Sequence, residues 1–173
     1  MDKLSIIDFI KEVNLFKELD LNEIEIISEY FSNREYPEGS FIFKENTPRD
    51  AVFVILEGEV ELIKRTPFGE EKRLSYFRKK DFMGEGSLMD NYPHSTSAKA
   101  MNNVKLIALP HPAIKRIFEE HPSIALKIYR HLSKVITRRM NQANVHLANV
   151  GTQYVSGHTR LEHDLLGERE VPA

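Results

Sequence analysis

The stretch Phe82-Met83-Gly84-Glu85-Gly86-Ser87-Leu88-Met89-Asp90-Asn91-Tyr92-Pro93-His94-Ser95-Thr96-Ser97-Ala98-Lys99-Ala100 decides how the chain is read. It joins two predicted strands through a turn in which glycines flank Glu85. One helical turn is predicted from Ser87 to Asp90, followed by Pro93 and a row of hydroxyls. Glycine lets backbone N–H groups come close to a ligand. Amides at the start of a helical turn form a seat for an anion. Glu85 adds an acceptor suited to a sugar hydroxyl, and Ser95, Thr96 and Ser97 add donors.

The flanks of this stretch break into short apolar runs. Phe41-Ile42-Phe43, Val52 to Leu56, Val60-Glu61-Leu62-Ile63, Leu74 to Phe77 and Val104 to Leu109 are separated by turn clusters such as Asn46-Thr47-Pro48 and Thr66-Pro67-Phe68-Gly69. Short strands at this spacing predict an antiparallel double-sheet or closed β structure. Tyr36-Pro37-Glu38-Gly39 marks its start, because Pro-x-Gly is a turn signal. Before it, residues 4–33 carry apolar residues at helical spacing, with Asp20 or Asn22 as the cap of a second segment. After Pro110 the helical period returns. His111 to Glu120 is a short helix stopped near Pro122. Ser123 is the expected cap of a long helix reaching about Asn149, with the stripe Ile124, Ile128, Leu132, Val135, Ile136, Met140, Ala143, Leu147 and Val150. That spacing suits a coiled-coil seam as well as packing onto the β domain; the first half would pack inward and the second half would pair.

The segment 82–100 resembles the phosphate-binding cassette of cyclic-nucleotide-binding domains, which runs Phe-Gly-Glu-Leu-Ala-Leu, a variable stretch, then Pro-Arg-Ala-Ala-Thr-Val-x-Ala. Leu15-Phe16, Leu19, Tyr36 to Ile42, Asp50 before Phe53-Val54-Ile55, and Gly58-Glu59-Val60 fall in the family's order. The likeness spans about residues 10–145. It implies an α+β fold: an antiparallel β-roll of the double-stranded β-helix or jelly-roll type, with N-terminal helices and a long C-terminal helix. It divides the chain into N-terminal helices (1–35), a β-roll (36–110) holding the cassette, and a short helix with a long lid or dimer helix (111–150). Carried over, Gly84 and Gly86 offer amides to a cyclic phosphate, Ser87 continues that seat, and Glu85 accepts from a ribose 2′-hydroxyl. Ser95 and Thr96 lie beside the phosphate, and the long helix closes over the base. The ligand implied is cAMP or cGMP, with no cofactor required. Two positions depart from the family: His94 stands where it has arginine, and Gly86 where it has a bulky apolar residue. Arginine grips two phosphate oxygens with a permanent charge, which histidine lacks. Losing a charge-assisted contact of about 1.5–3 kcal/mol weakens binding roughly ten- to a hundredfold. The plainer alternatives are that Glu85 ties down the cassette backbone and that His94 is an ordinary surface-loop histidine.

The tail, Arg160-Leu161-Glu162-His163-Asp164-Leu165-Leu166-Gly167-Glu168-Arg169-Glu170-Val171-Pro172-Ala173, resembles the N-terminal strand-and-turn of the aspartase/fumarase superfamily, closest to aspartate ammonia-lyase. That family opens with Arg-x-Glu-x-Asp, a spacer, Leu-Gly and Val-Pro-Ala. The resemblance implies that residues 151–173 are a linker and the start of a truncated lyase domain. The lyase's catalytic loop does not occur in this sequence, so the fragment itself is expected not to be an enzyme.

Composition narrows the rest. With 24 basic and 26 acidic residues, the near-neutral chain gives no reason to expect a nucleic-acid partner. The absence of cysteine excludes disulfides and thiolate chemistry. No apolar run approaches the roughly 20 residues of a membrane span, and the N-terminus lacks a signal peptide's pattern, so a cytoplasmic protein is expected. The seven histidines are scattered without metal-ligand spacing. Basic groups such as Lys64-Arg65 read as solvated hairpin rims. The expected partners are a small anionic ligand, a second copy through the 123–150 helix, and the fused lyase, within a regulatory sensor. Two rivals remain: a dimerisation domain with a degenerate pocket, and a truncated transcription regulator of the catabolite-activator type. The second needs a helix-turn-helix domain, for which residues 151–173 are too short.

Overall fold

A computed structural model of the chain describes residues 3–157, 159–164 and 167–172. Contacts divide it into two units, Met1–Leu132 and Ser133–Ala173. The first begins with α1 (Lys3–Lys11), a 3-10 turn (Asn14–Phe16) and α2 (Leu21–Ser28). Asp20 caps α2. Its carboxylate accepts from the Glu23 amide at 3.0 Å, while Glu23 accepts from the Asp20 amide at 2.9 Å, a reciprocal box that satisfies two otherwise orphaned donors.

Eight strands follow: β1 (Ser32–Tyr36), β2 (Phe41–Phe43), β3 (Ala51–Glu57), β4 (Val60–Arg65), β5 (Glu71–Phe77), β6 (Phe82–Met83), β7 (Ser97–Ala100) and β8 (Val104–Pro110). They form two four-stranded sheets, ordered β1-β8-β3-β6 and β2-β7-β4-β5. Every pairing in both sheets is antiparallel. The core between them holds Phe43, Phe53, Ile55, Val60, Met83, Val104 and Leu106, with the small Ala98, Ala100 and Ala108 where chains come close. Val52 and Val54 point the other way along β3, since side chains alternate across a strand, yet they too are buried. Both faces of β3 are therefore covered, which explains its unbroken apolar run. This is the expected roll of two antiparallel sheets with flanking helices.

Some local expectations change in this unit. Residues 32–35, expected at the end of the N-terminal helices, belong with Tyr36 to strand β1, which pairs Ser32 with Ala108 and Tyr36 with Val104. The last deeply buried helical residue is Ile27, and the strand Ser-Asn-Arg-Glu-Tyr is largely exposed, so pairing with β8 rather than an apolar pattern makes it. The turn in the cassette is a 3-10 helix over Glu85–Leu88, not over 87–90.

α3 (His111–Glu120) lies where expected. α4 (Pro122–Gly157) opens on proline, which is suited to a first helical position because the amide it lacks would be unpaired anyway. Ser123 therefore lies inside the helix, and its hydroxyl donates to Glu23 Oε1 at 3.2 Å. Ile124, Ile128 and Leu132 are buried, whereas Ile136, Met140 and Leu147 are exposed. In the second unit α4 runs beyond Asn149 to Gly157, so residues expected as linker are helical. The antiparallel pair β9 (Thr159–Asp164) and β10 (Gly167–Pro172) follows, with Glu162 opposite Arg169. Among the described residues, no helix is long and apolar enough to cross a membrane.

Candidate functional site

The cassette begins where β6 ends. Gly84 has φ of +76°, and a Cβ there would stand 2.7 Å from the Ala51 carbonyl oxygen. Glycine is required at this position by the close passage of β3, whatever lies outside. Ser87 is buried. Its hydroxyl donates to the Ala51 carbonyl at 3.0 Å and its amide to the Gly84 carbonyl at 2.9 Å. The Ser87 amide, expected to continue the anion seat, is thus spent inside the turn, and the hydroxyl stitches the turn to β3. Glu85 and Gly86 are half-buried beside it. Two carbonyls of the turn are taken up by helices: His111 Nδ1 lies 2.9 Å from the Ser87 oxygen, and the Tyr129 hydroxyl donates to the Leu88 oxygen at 2.8 Å.

His94 is not a surface histidine. Only 4% of it is exposed, and its ring stacks on Phe43 with centroids 3.9 Å apart and planes 8° from parallel. Nε2 is buried with no hydrogen-bond partner. Burial, and then the nearby Arg49 charge, push the ring's pKa below its ordinary value, against the opposing pull of Asp50. His94 is therefore neutral near pH 7 and presents one uncompensated polar atom, a group that costs about 1–3 kcal/mol when left unpaired.

Arg49 was not foreseen. Its guanidinium lies against Gly86, where a Cβ would collide with Cζ, Nη1 and Nε. Nη1 pairs with the Asp90 carboxylate, and the Arg49 side chain is only 16% exposed. Backbone bonds hold the loop that carries it. The Asn46 amide donates to the His94 carbonyl at 2.8 Å, the His94 amide to the Thr47 carbonyl at 2.9 Å, and the His111 amide to the Asp50 carbonyl at 2.7 Å. In the sequence Thr47-Pro48-Arg49-Asp50 reads only as a turn. The available signal was the paired departure at 86 and 94, where bulk and charge are both missing.

The row of hydroxyls is divided. Ser95 is exposed and Thr96 half-buried. The Ser97 hydroxyl accepts from the Glu45 amide at 2.9 Å. Lys64, expected as a solvated rim, instead pairs with Glu45 and donates to the Ser95 carbonyl at 2.8 Å. The hydrogen bond that Lys64 donates to the Glu45 carboxylate holds that carboxyl below its usual pKa, although burial opposes the shift. A hollow of about 330 Å³ opens here, lined by Phe41, Glu45, Ile63, Arg65 and Ser97. A second, of about 380 Å³, lies on the helix side of the cassette between Leu88, Asp90, His111, Phe118 and Tyr129. Among the described residues no cluster of His, Asp or Glu is arranged to hold a metal ion.

The model of the cyclic nucleotide-binding domain family matches residues 33–121. The chain is 24% identical over 143 residues to a CRP-like cAMP-activated global transcriptional regulator of Mycobacterium tuberculosis, a match covering 83% of this chain and 62% of the relative. It is 29% identical over 133 residues to a cyclic AMP receptor protein of Thermus thermophilus, covering 77% and 60%. Among solved structures, the N-terminal domain of a transcriptional regulator from Streptomyces coelicolor superposes with a TM-score of 0.68 at 29% identity, over 79% of this chain and 96% of that one. The chain spans about three-fifths of the length of these two curated relatives. With the two-sheet roll, the glycine-bounded turn at 84–88 and the flanking helices in the family's order, the match over 33–121 shows that this chain belongs to the cyclic nucleotide-binding domain family.

Proposed function

We propose that the chain is a regulatory sensor whose cassette takes a small anion of the cyclic-nucleotide kind, cAMP or cGMP, and reports it through α3 and α4. The candidate contacts are the Gly84 and Gly86 amides, the Glu85 carboxylate for a ribose hydroxyl, and His94, Ser95 and Thr96 around the phosphate. Ser87 serves the site by anchoring the turn. The observation that carries this reading is the pair of bonds from His111 and Tyr129 to the Ser87 and Leu88 carbonyls. A ligand that shifts the turn must strain or release both helices. Only such a difference between bound and free states can move an equilibrium.

The test is calorimetry of this chain with cAMP, cGMP, aspartate and fumarate, together with hydrogen exchange along α4. Binding accompanied by altered protection at residues 122–132 supports the sensor. Silence from every ligand would leave an assembly domain with a degenerate pocket.

The exposed second half of the α4 stripe supports self-association. The likeness of residues 160–173 to the opening of the aspartase/fumarase superfamily supports a further reading, in which the sensor controls an aspartate ammonia-lyase in the same polypeptide. The β9–β10 pairing is in keeping with that family's strand and turn. Reading the gene past Ala173, and assaying its full product with and without cyclic nucleotide, tests this point. The names of the curated relatives favour a second reading, a transcriptional regulator. A helix-turn-helix segment after Ala173 would decide for it. In the leading reading the protein is cytoplasmic and these residues contact neither nucleic acid nor membrane.

A further inference from the structure

We propose that Arg49, entering from the β2–β3 loop over Gly86, is the guanidinium that receives the ligand's phosphate, with His94 Nε2 as its second donor. The inference rests on the sensor reading above and assigns the charge that the cassette lacks.

Three observations converge. The first is steric. Any side chain at residue 86 would occupy the space that the Arg49 guanidinium fills, so Gly86 admits it. The second is donor capacity. Asp90 engages Nη1. A guanidinium has five N–H donors in a rigid fork, so this one pairing does not exhaust what Arg49 can donate. The third is independent of Arg49. His94 Nε2 is a buried polar atom with nothing to bond, an arrangement that a folded protein rarely keeps without use. His94 is held by the same loop, through the Asn46 and Thr47 backbone bonds, so donor and guanidinium are carried by one stitched unit. The Arg49 charge also acts on the His94 ring, lowering its pKa after burial has done so.

The departures at 86 and 94 are then a single exchange. Replacing arginine at 94 removes the charge, and removing the side chain at 86 lets another arginine supply it from a different strand connection. The chemical class of ligand follows: a phosphate ester with a single negative charge, sized for one fork and one imidazole N–H.

The experiment is calorimetry on the 173-residue chain with cAMP and cGMP and with their uncharged counterparts adenosine and guanosine. The proteins are wild type, Arg49→Gln, Arg49→Lys, Gly86→Leu and the double variant Arg49→Gln/Gly86→Leu. Arg49→Gln is expected to weaken cyclic-nucleotide binding about ten- to a hundredfold, and nucleoside binding far less. Arg49→Lys should fall between the two, keeping charge but not the fork. Gly86→Leu should expel Arg49 and reproduce the loss. The double variant should add little to either single change, as expected of two substitutions that break one contact. Thermal melting of each ligand-free variant separates this loss from misfolding: a variant that keeps the wild-type melting temperature yet loses cyclic-nucleotide affinity has lost the contact and not the fold. If wild type binds cyclic nucleotides and both Arg49 variants match it, Arg49 is not the phosphate ligand and the sensor reading stands. If wild type binds none of them, or binds nucleosides as tightly, the inference and the sensor reading fall together.

Discussion

Lys127 on α4 donates to Glu23 on α2 at 2.6 Å, across 104 positions of sequence. The same carboxylate accepts from the Asp20 amide and the Ser123 hydroxyl. One buried acid therefore caps one helix and anchors the first turns of another. Arg130 reinforces the contact by pairing with Glu18. Replacing Glu23 with glutamine keeps the shape but removes the charge that three donors share. The expected cost is about 1–2 kcal/mol, read as a lower urea midpoint with an unchanged slope. Hydrogen exchange should rise in residues 122–130 before the roll itself opens.

Tyr129→Phe removes a single hydroxyl, the one that holds α4 to the Leu88 carbonyl. Stability should fall by about 0.5–1.5 kcal/mol. Ligand affinity should change little, while the ligand-dependent protection of α4 should shrink. An unaltered exchange response in this variant would show that the helix reads the cassette by another route.

His94 predicts the dependence of stability on pH. Its pKa is lowered in the fold, by burial first and by Arg49 second, from an ordinary value of 6.5. Below about pH 6.5 the unfolded chain therefore binds a proton that the native protein resists. Stability contributed by the neutral ring is complete above that point and is lost as pH falls toward the native value. Urea midpoints measured from about pH 8 down to about pH 5 should decline in the acid limb, and His94→Phe should flatten that limb. Equal slopes in the two proteins would assign the decline to other groups.

Gly84→Ala combines a left-handed backbone with a Cβ 2.7 Å from a main-chain oxygen. Main-chain atoms of a buried strand cannot step aside cheaply. A loss of about 2–4 kcal/mol is expected, with the melting temperature as readout.

The apolar residues Met140 and Leu147 on the second half of α4 are exposed, 55% and 68% accessible. Sedimentation should find the chain dimeric, and Met140→Glu with Leu147→Glu should render it monomeric. A monomeric wild type would remove the pairing seam.

The strands that sequence disclosed are those that bury side chains: β3, β4 and β8 carry Val, Ile and Phe in runs that nothing but a sheet would use. β1 and β7 stayed hidden because Ser-Asn-Arg-Glu-Tyr and Ser-Ala-Lys-Ala hold few large apolar residues and exist through their neighbours. β5 was read only from Leu74, since Glu71, Lys72 and Arg73 face water. The cassette was legible because its glycines and hydroxyls are contiguous. Arg49 was not, because what makes it part of the site is the space left by Gly86, a relation between positions 37 apart that only folding expresses. The anchoring role of the Ser87 hydroxyl was invisible for the same reason: the Ala51 carbonyl that takes it is 36 positions away.

Residues 44–50 are sewn at both margins, to His94 on one side and to His111 on the other, by their own amides and carbonyls. Such a segment has no slack. A reporter peptide spliced into it would tear main-chain bonds from two neighbouring elements at once, whereas the tip at Phe68-Gly69, where Phe68 stands 93% in solvent, has only the short hairpin to disturb. A biosensor built on this roll should therefore carry its fluorophore at the tip and leave the sewn loop untouched.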